Sequence, residues 1–257
     1  MSEQNQKSTT DFGFKEVPTD EKVKRVADVF HSVAGKYDLM NDLMSGGIHR
    51  SWKNKMIQEV DFSKQQDYKM IDVAGGTGDI AFRIANKANQ ENINAQIEIV
   101  DINQEMLDVG KKRAIDLNHF NQVNFNRCDG ESLDYEDNYF DFYTIAFGIR
   151  NFTNIDKGLS EAHRVLKKGG KFICLEFSKV NNKILETIYD QYSLKVIPKI
   201  GELVLKDGDS YQYLVESIRK FPDQETFKGM IKEAGFDNVK YRNLTMGVAA
   251  LHSGWKI

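Results

Sequence analysis

Cysteine is scarce: Cys128 and Cys174 are the only two in 257 residues, far apart and in no metal-ligand spacing. That excludes a disulfide framework, gives no reason to expect a metal, and points to a reducing compartment. No apolar run reaches the ~18 residues of a membrane span. Basic excess is missing too. A net charge of -3 argues against a nucleic-acid binder that relies on overall basicity. The first eleven residues lack the apolar core of a secretory signal and the Arg-rich, acid-poor character of a transit peptide. A cytosolic protein is expected, with room for peripheral contact at the inner membrane surface. Neither an internal repeat nor a low-complexity tract is found. What remains is an ordinary globular composition, 40% hydrophobic and 28% charged, sized for one α/β domain with an insertion or two small domains.

The most informative stretch is Lys69-Met70-Ile71-Asp72-Val73-Ala74-Gly75-Gly76-Thr77-Gly78-Asp79-Ile80. An apolar run ends in a glycine cluster and a helical pattern follows. This reads as a buried parallel strand, a tight turn and a helix whose free N–H groups face a ligand. Further strands are expected at 96–101, 123–128, 140–149, 171–177, 239–244 and 248–255. Helices are expected at 78–88, 105–117, 155–166 and 226–234, with Lys167-Lys168-Gly169-Gly170 stopping the third. The alternation implies a parallel, doubly wound sheet. Residues 1–10 are expected to be disordered and 11–257 to form a single domain. Within it, 11–60 is an N-terminal helical lid and 181–220 a helical insertion over the C-terminal edge of the sheet. The 31–53 segment mixes Met, aromatic and polar side chains. It reads equally as a packed helical hairpin or as a cover for a bulky apolar ligand.

Asp101 ends the second strand of this sheet, where an acid holds ribose hydroxyls in dinucleotide-type sites. No lysine followed by serine or threonine stands where a phosphate loop needs it, which leaves NAD, FAD or S-adenosylmethionine. Gly75-Gly76-Thr77-Gly78 lacks the spaced Gly-x-Gly-x-x-Gly that admits a pyrophosphate, and Asp129-Gly130 ends the third strand, where a carboxylate can accept from an adenine amino group. Both favour S-adenosylmethionine. Asp72, inside the first strand, needs a partner if buried: a ligand ammonium, or loop N–H groups alone. Of the histidines, His119 and His163 read as solvated, His252 as structural, and His31 and His49 as packing or capping residues of the lid.

These residues resemble the UbiE-type C-methyltransferases of ubiquinone and menaquinone synthesis over nearly the whole chain. The resemblance lies in Phe30-His31-Ser32-Val33-Ala34, the 37–45 block, Gly47-Ile48-His49-Arg50, the glycine turn, Phe147-Gly148-Ile149-Arg150-Asn151, Leu175-Glu176-Phe177-Ser178 and the 209–214 block. It implies a class I S-adenosylmethionine-dependent methyltransferase fold: a Rossmann-like, seven-stranded, mostly parallel sheet with helices on both faces and its last strand antiparallel. It implies cofactor contacts at Thr77, Asp101, Asp129 and Gly130, to which the turn adds Gly75 and Asp72. Bacterial relatives often carry Asn-Ala at 129–130 and Ser at Ala146; a hydroxyl contact at Ala146 cannot exist here.

The implied reaction is C-methylation of a polyprenyl quinol ring, demethylmenaquinol or a methoxy-polyprenyl-benzoquinol. Arg150, just past an apolar strand, is the candidate to stabilise the quinol oxyanion or to orient a proton-accepting water. It is a poor direct base, and an ion pair with Glu176 is its plain alternative. Tyr37, Asn41 and Asn151 are candidate substrate-binding residues. Other quinone-synthesis enzymes and a second copy of the chain are candidate partners. The rival readings are an NAD-dependent oxidoreductase and a non-catalytic subunit of a quinone-synthesis complex.

Overall fold

The apolar runs become strands buried on both faces, as a parallel sheet between helices requires. The structure is a computed structural model that describes residues 9–19, 21–22, 24–26, 29, 42, 45–180 and 208–257. Tyr37, Asn41, His31 and the 181–207 part of the expected insertion lie outside them. Seven strands form the sheet: β3 (Asp67–Val73), β4 (Asn94–Asp101), β5 (Val123–Arg127), β6 (Phe140–Ala146), β7 (Leu166–Phe177), β8 (Asp237–Leu244) and β9 (Ala249–Trp255). Their order is β5-β4-β3-β6-β7-β9-β8, and β9 runs antiparallel to both neighbours. The chain moves outward from β3 to β5, then returns to place β6 on the other side of β3. That reversal opens a crevice at the C-terminal ends of β3 and β6.

Alternate residues of each strand face opposite layers. Met70, Phe142, Ile173 and Leu175 join one core with α1 (His49–Ile57), α2 (Asp79–Gln90), α3 (Gln104–Asp116) and α5 (Gly208–Lys220). Ile71, Tyr143, Phe172 and Cys174 join a second core with α4 (Ile155–Val165) and α6 (Gln224–Glu233). Among the described residues no helix is long and apolar enough to cross a membrane.

Several local expectations are corrected. The Asp11-Phe12-Gly13-Phe14 patch belongs to a β-hairpin, β1 (Thr9–Phe12) and β2 (Lys15–Pro18), so Thr9 and Thr10 are strand and the lid region is not helical throughout. β6 stops at Ala146, three residues early, because Phe147 turns to φ +57° and leads into a 3-10 turn at Ile149–Asn151. Gly169 and Gly170 do not cap α4. The strand begins at Leu166, and the 167–170 segment bulges between the Phe140↔Leu166 and Phe142↔Lys171 pairs, tied to Lys256 by backbone hydrogen bonds. His119 is buried, not solvated: its ring stacks on Phe82 at 5.7 Å and Nδ1 meets Gln122 Oε1 at 3.2 Å. His163 is half-buried, edge-on to Phe236. His252 is 1% exposed, with Nε2 on the Gln224 carbonyl at 3.1 Å.

Candidate active site

The glycine turn is fastened by the strand beside it. Gly75 N–H donates to the Val100 carbonyl at 3.1 Å, and Gly78 N–H closes the turn on the Gly75 carbonyl at 2.9 Å. A side chain at 75 would meet the Asp72 carboxylate and Ile99 at 2.9 Å, so the backbone can pass there only as glycine. Two non-glycine residues with positive φ, Ala74 (51°) and Phe147 (57°), end β3 and β6 at the crevice. Strained backbone of this kind persists where the surrounding structure holds it, and it clusters at functional sites.

Asp101, at the end of β4, faces this turn. Its Oδ2 accepts from Gly76 N–H at 2.9 Å and its Oδ1 from Asn103 N–H at 2.8 Å. Each oxygen keeps a lone pair. Burial pushes its carboxyl up to about 6 against the pull of those N–H groups. Asp72 is 1% exposed; Oδ1 accepts from the Thr144 hydroxyl at 2.8 Å, and Oδ2 has no hydrogen-bond partner among the described residues. Burial raises it to about 7, opposed chiefly by the Thr144 hydrogen bond. Thr77 is buried and its hydroxyl accepts from Arg113 of α3 at 2.7 Å, leaving its own proton to donate. Asp129 is exposed and accepts from Glu131 N–H at 2.9 Å. Gly130 is buried under the Phe152 ring, 2.5 Å from where a Cβ would stand.

One cleft brings together Asp72, Gly75, Thr77, Asp101, Asp129, Gly130 and Asn151. Arg150 is not in its lining. The guanidinium forms a buried ion pair with Glu176, NH1 to Oε1 at 2.9 Å, and also donates to the Phe147 carbonyl. Burial raises the Glu176 carboxyl, with Arg150 opposing it. Arg150 Nε is buried without a partner among the described residues.

Several lining residues had no separate place in the sequence reading. Lys53 of α1 is 3% exposed and donates to Asp79 Oδ2 at 2.8 Å, while Arg83 meets Oδ1 at 3.1 Å. Burial alone would raise Asp79, but Lys53 and Arg83 outweigh it and hold it below its ordinary value. Asp79, an acid in the first turn of a helix, carried a readable signal; Lys53 carried none. Trp52 beside it packs edge-on to Phe177 at 6.0 Å and donates to Thr245 Oγ1 at 2.9 Å. The 49–57 part of the expected lid is therefore packed structure. His49 is buried with Nε2 on Asp42 Oδ1 at 2.9 Å. Glu131 is buried, accepts from Thr153 N–H, and is raised by burial.

Among the described residues, five carboxylates line the cleft (Asp72, Asp79, Asp101, Asp129 and Glu131) against one cation, Lys53, which is already paired with Asp79. Such a surface opposes a pyrophosphate and favours a cationic ligand. The orphaned Asp72 oxygen, the free lone pairs of Asp101 and the side-chain-free backbone at Gly75 suit a nucleoside that carries sulfonium and ammonium charges, as S-adenosylmethionine does.

Likeness to known proteins points to the same cofactor class. Residues 18–256 match the model of the ubiE/COQ5 methyltransferase family. The ubiquinone/menaquinone biosynthesis C-methyltransferase UbiE of Brucella abortus is 55% identical over 246 residues, 96% of this chain and 90% of its own length. Among solved structures, a SAM-dependent methyltransferase of Thermotoga maritima superposes with a TM-score of 0.56 at 19% identity, covering 89% of this chain and 100% of that one. Phosphoethanolamine N-methyltransferase 2 of Haemonchus contortus, solved with S-adenosyl-L-methionine, gives a TM-score of 0.58 at 16% identity, covering 80% of this chain and 52% of that one. At such identities the two structures speak to fold alone, that of the class I methyltransferases, whereas the family match and the 55% identity speak to the chain itself: it belongs to the ubiE/COQ5 methyltransferase family.

Proposed function

We propose that the cleft binds S-adenosylmethionine against the Ala74–Gly78 turn, with a polyprenyl quinol beside it. The class of enzyme follows from the family: the chain is an S-adenosylmethionine-dependent C-methyltransferase of ubiquinone/menaquinone biosynthesis. The observation that carries the site assignment is Asp101. It ends the strand next to the glycine turn, each oxygen is braced by one backbone N–H, and each has a lone pair for a ribose hydroxyl. Asp129 and Gly130 would take the adenine end, Gly75 and Thr77 the middle, and Asp72 the ammonium.

When bound, the cofactor supplies an electrophilic methyl group. The chain has to place a ring carbon in line with that methyl and keep water out. A ring carbon attacks well once the neighbouring quinol oxygen has given up its proton. The C–C bond would form as the donor's sulfur–methyl bond breaks, with that electron pair left on sulfur, and the ring C–H proton would pass to water as the ring regains its aromatic phenolate. Asn151, in the cleft wall, and Tyr37 and Asn41 are proposed to contact the ring oxygens. For Arg150 the proposal is narrower than the sequence suggested. With NH1 committed to Glu176 and Phe147, its first role is to hold the 147–151 turn, and Nε and the second terminal nitrogen are what it has left for a water or an oxyanion.

Either demethylmenaquinol or a methoxy-polyprenyl-benzoquinol would serve as substrate. A cytoplasmic location belongs to the same proposal, and the prenyl tail makes peripheral contact with a membrane part of it. So does assembly with other quinone-synthesis enzymes or a second copy. The test is direct: purified chain, methyl-labelled S-adenosylmethionine and each quinol in reduced form. Label in the extracted quinol is expected. Cofactor binding without label in either product would leave the non-catalytic-subunit reading.

A further inference from the structure

The cleft wall continues past the end of β6 through Asn151, Phe152 and Thr153. These three residues are held from outside by segments remote in sequence. The Thr10 hydroxyl donates to the Thr153 carbonyl at 3.3 Å, and Lys22 Nζ donates to the Phe152 carbonyl at 2.7 Å. Asn151 Oδ1 accepts from the Tyr213 hydroxyl at 3.1 Å. Tyr213 lies on α5 and is 4% exposed; its ring stacks on Phe12 of β1, centroids 4.2 Å apart and planes 16° from parallel. The same hairpin is pinned to α5 again, through Phe14 N–H to Glu216 Oε2 at 3.0 Å. The tyrosine ring therefore has little freedom, and the place of its hydroxyl oxygen is fixed with it.

A carboxamide has an acceptor end and a donor end, and a half-turn of the side chain exchanges them. At Asn151 the acceptor end is engaged by Tyr213, and the NH2 group has no partner among the described residues. We propose that Tyr213 is a positioning residue: its hydroxyl holds the Asn151 carboxamide so that the NH2 end is presented to the quinol oxygen. This rests on the reading of the cleft as a quinol site. The quinol oxygen gains negative charge as the ring carbon becomes nucleophilic. A fixed N–H donor stabilises that charge, whereas a carbonyl swung into its place repels it. Were the carboxamide to turn over, the Tyr213 hydroxyl could accept from the NH2 end, but its own buried proton would lose its acceptor. Without the hydroxyl that preference is gone, and the wrong orientation opposes the reaction. The β1–β2 hairpin and α5, which carry no cofactor contact in the proposal above, thereby become part of the substrate site.

The plain alternative is that the Tyr213–Asn151 bond only ties α5 to the turn after β6. A double-mutant cycle on the full chain separates the two, with kcat and KM for the quinol, Kd for S-adenosylhomocysteine and Tm measured for each variant. Tyr213→Phe keeps the stack on Phe12 and removes the hydroxyl alone. It is expected to lower kcat by about tenfold, the scale of one buried hydrogen bond, with Kd and Tm near wild type. Asn151→Ala and the isosteric Asn151→Asp, both without an NH2, should fall at least as far. In the Asn151→Ala background Tyr213→Phe should cost nothing more, because its effect passes through Asn151. Additive losses, a wild-type kcat for Tyr213→Phe, or a lowered Tm as its only change would overturn the proposal. If Asn151→Ala turns over like wild type, the fault lies earlier, in placing the quinol against this wall, and the positioning role falls with it.

Discussion

Two carboxylates of the cleft, Asp72 and Asp101, are raised by burial to about 7 and about 6. Both are therefore protonated more readily in the folded protein than in the unfolded chain, where 3.8 is the ordinary value. Their contribution to stability is fully present below the unfolded value and is lost as pH rises through about 6 to 7. An ammonium at Asp72 and ribose hydroxyls donating to Asp101 need the opposite state, both groups ionised. Affinity for S-adenosylhomocysteine, titrated calorimetrically, is thus expected to weaken progressively as pH falls from 8 to 5, and Asp101→Asn should flatten the lower part of that profile. A flat profile in the wild-type protein would remove these two acids from the cofactor site. Asp101→Ala is the sharper change. It strands the Gly76 and Asn103 N–H groups and two ribose hydroxyls, and hydrogen bonds to a charged group contribute about 1.5–3 kcal/mol each. A loss of affinity of roughly a hundredfold or more, with an unchanged circular dichroism spectrum, is expected. An unchanged dissociation constant would sink the cofactor assignment.

At the scale of elements, the Arg150–Glu176 pair joins the turn after β6 to the C-terminal end of β7, with side chains 2% and 1% exposed. Glu176 also accepts from Phe177 N–H at 2.9 Å, so the pair fixes both strand ends at the rim of the cleft. Removing one partner of such a pair leaves a buried, uncompensated charge and costs about 3–5 kcal/mol. Arg150→Ala is expected to lower Tm by roughly 10 °C for a chain of this size, and Arg150→Ala with Glu176→Gln should recover part of it. Turnover of the single variant, measured where it is still fully folded, separates strut from catalyst. A wild-type rate there means that the arginine serves the turn alone. α1 shows the same economy of parts. Its Trp52 packs on Phe147 and Phe177 while its Lys53 holds Asp79, so the helix that precedes the sheet also braces the first turn of α2.

For the molecule as a whole, the topology sets the site and the charge of the lining selects the ligand. Any Rossmann-like sheet opens a crevice where the strand order reverses, and NAD sites use the same place. Here, among the described residues, that crevice presents five carboxylates and one lysine already in a salt bridge. S-adenosylhomocysteine at about a hundred times its dissociation constant should stabilise the protein by about 2.7 kcal/mol, a rise of several degrees in Tm. NAD at the same concentration is expected to give none. A shift with NAD and not with the homocysteine would exchange the two cofactor assignments.

Where local pattern decides structure, the sequence was sufficient. The buried strands are continuous apolar runs, the glycine turn needs backbone that only glycine offers, and an acid at a strand end can be located without knowing its neighbours. Hence the sheet, the turn and Asp101 were legible, and the spaced motif blocks pointed to the family. Periodicity had nothing to say about pairings between distant side chains. Lys53 meets Asp79 across 26 positions, Arg150 meets Glu176 across 26, and Tyr213 meets Asn151 across 62. Whether Arg150 pointed to the cleft or to Glu176 turned on how β6 ends, and Phe147 ends it with a positive φ that no apolar run announces. The hairpin at 9–18 is too short and too irregular for a period of two to show, and it exists because Phe12 has Tyr213 to stack on and Phe14 has Glu216 to bond. Only packing in three dimensions brings those partners together.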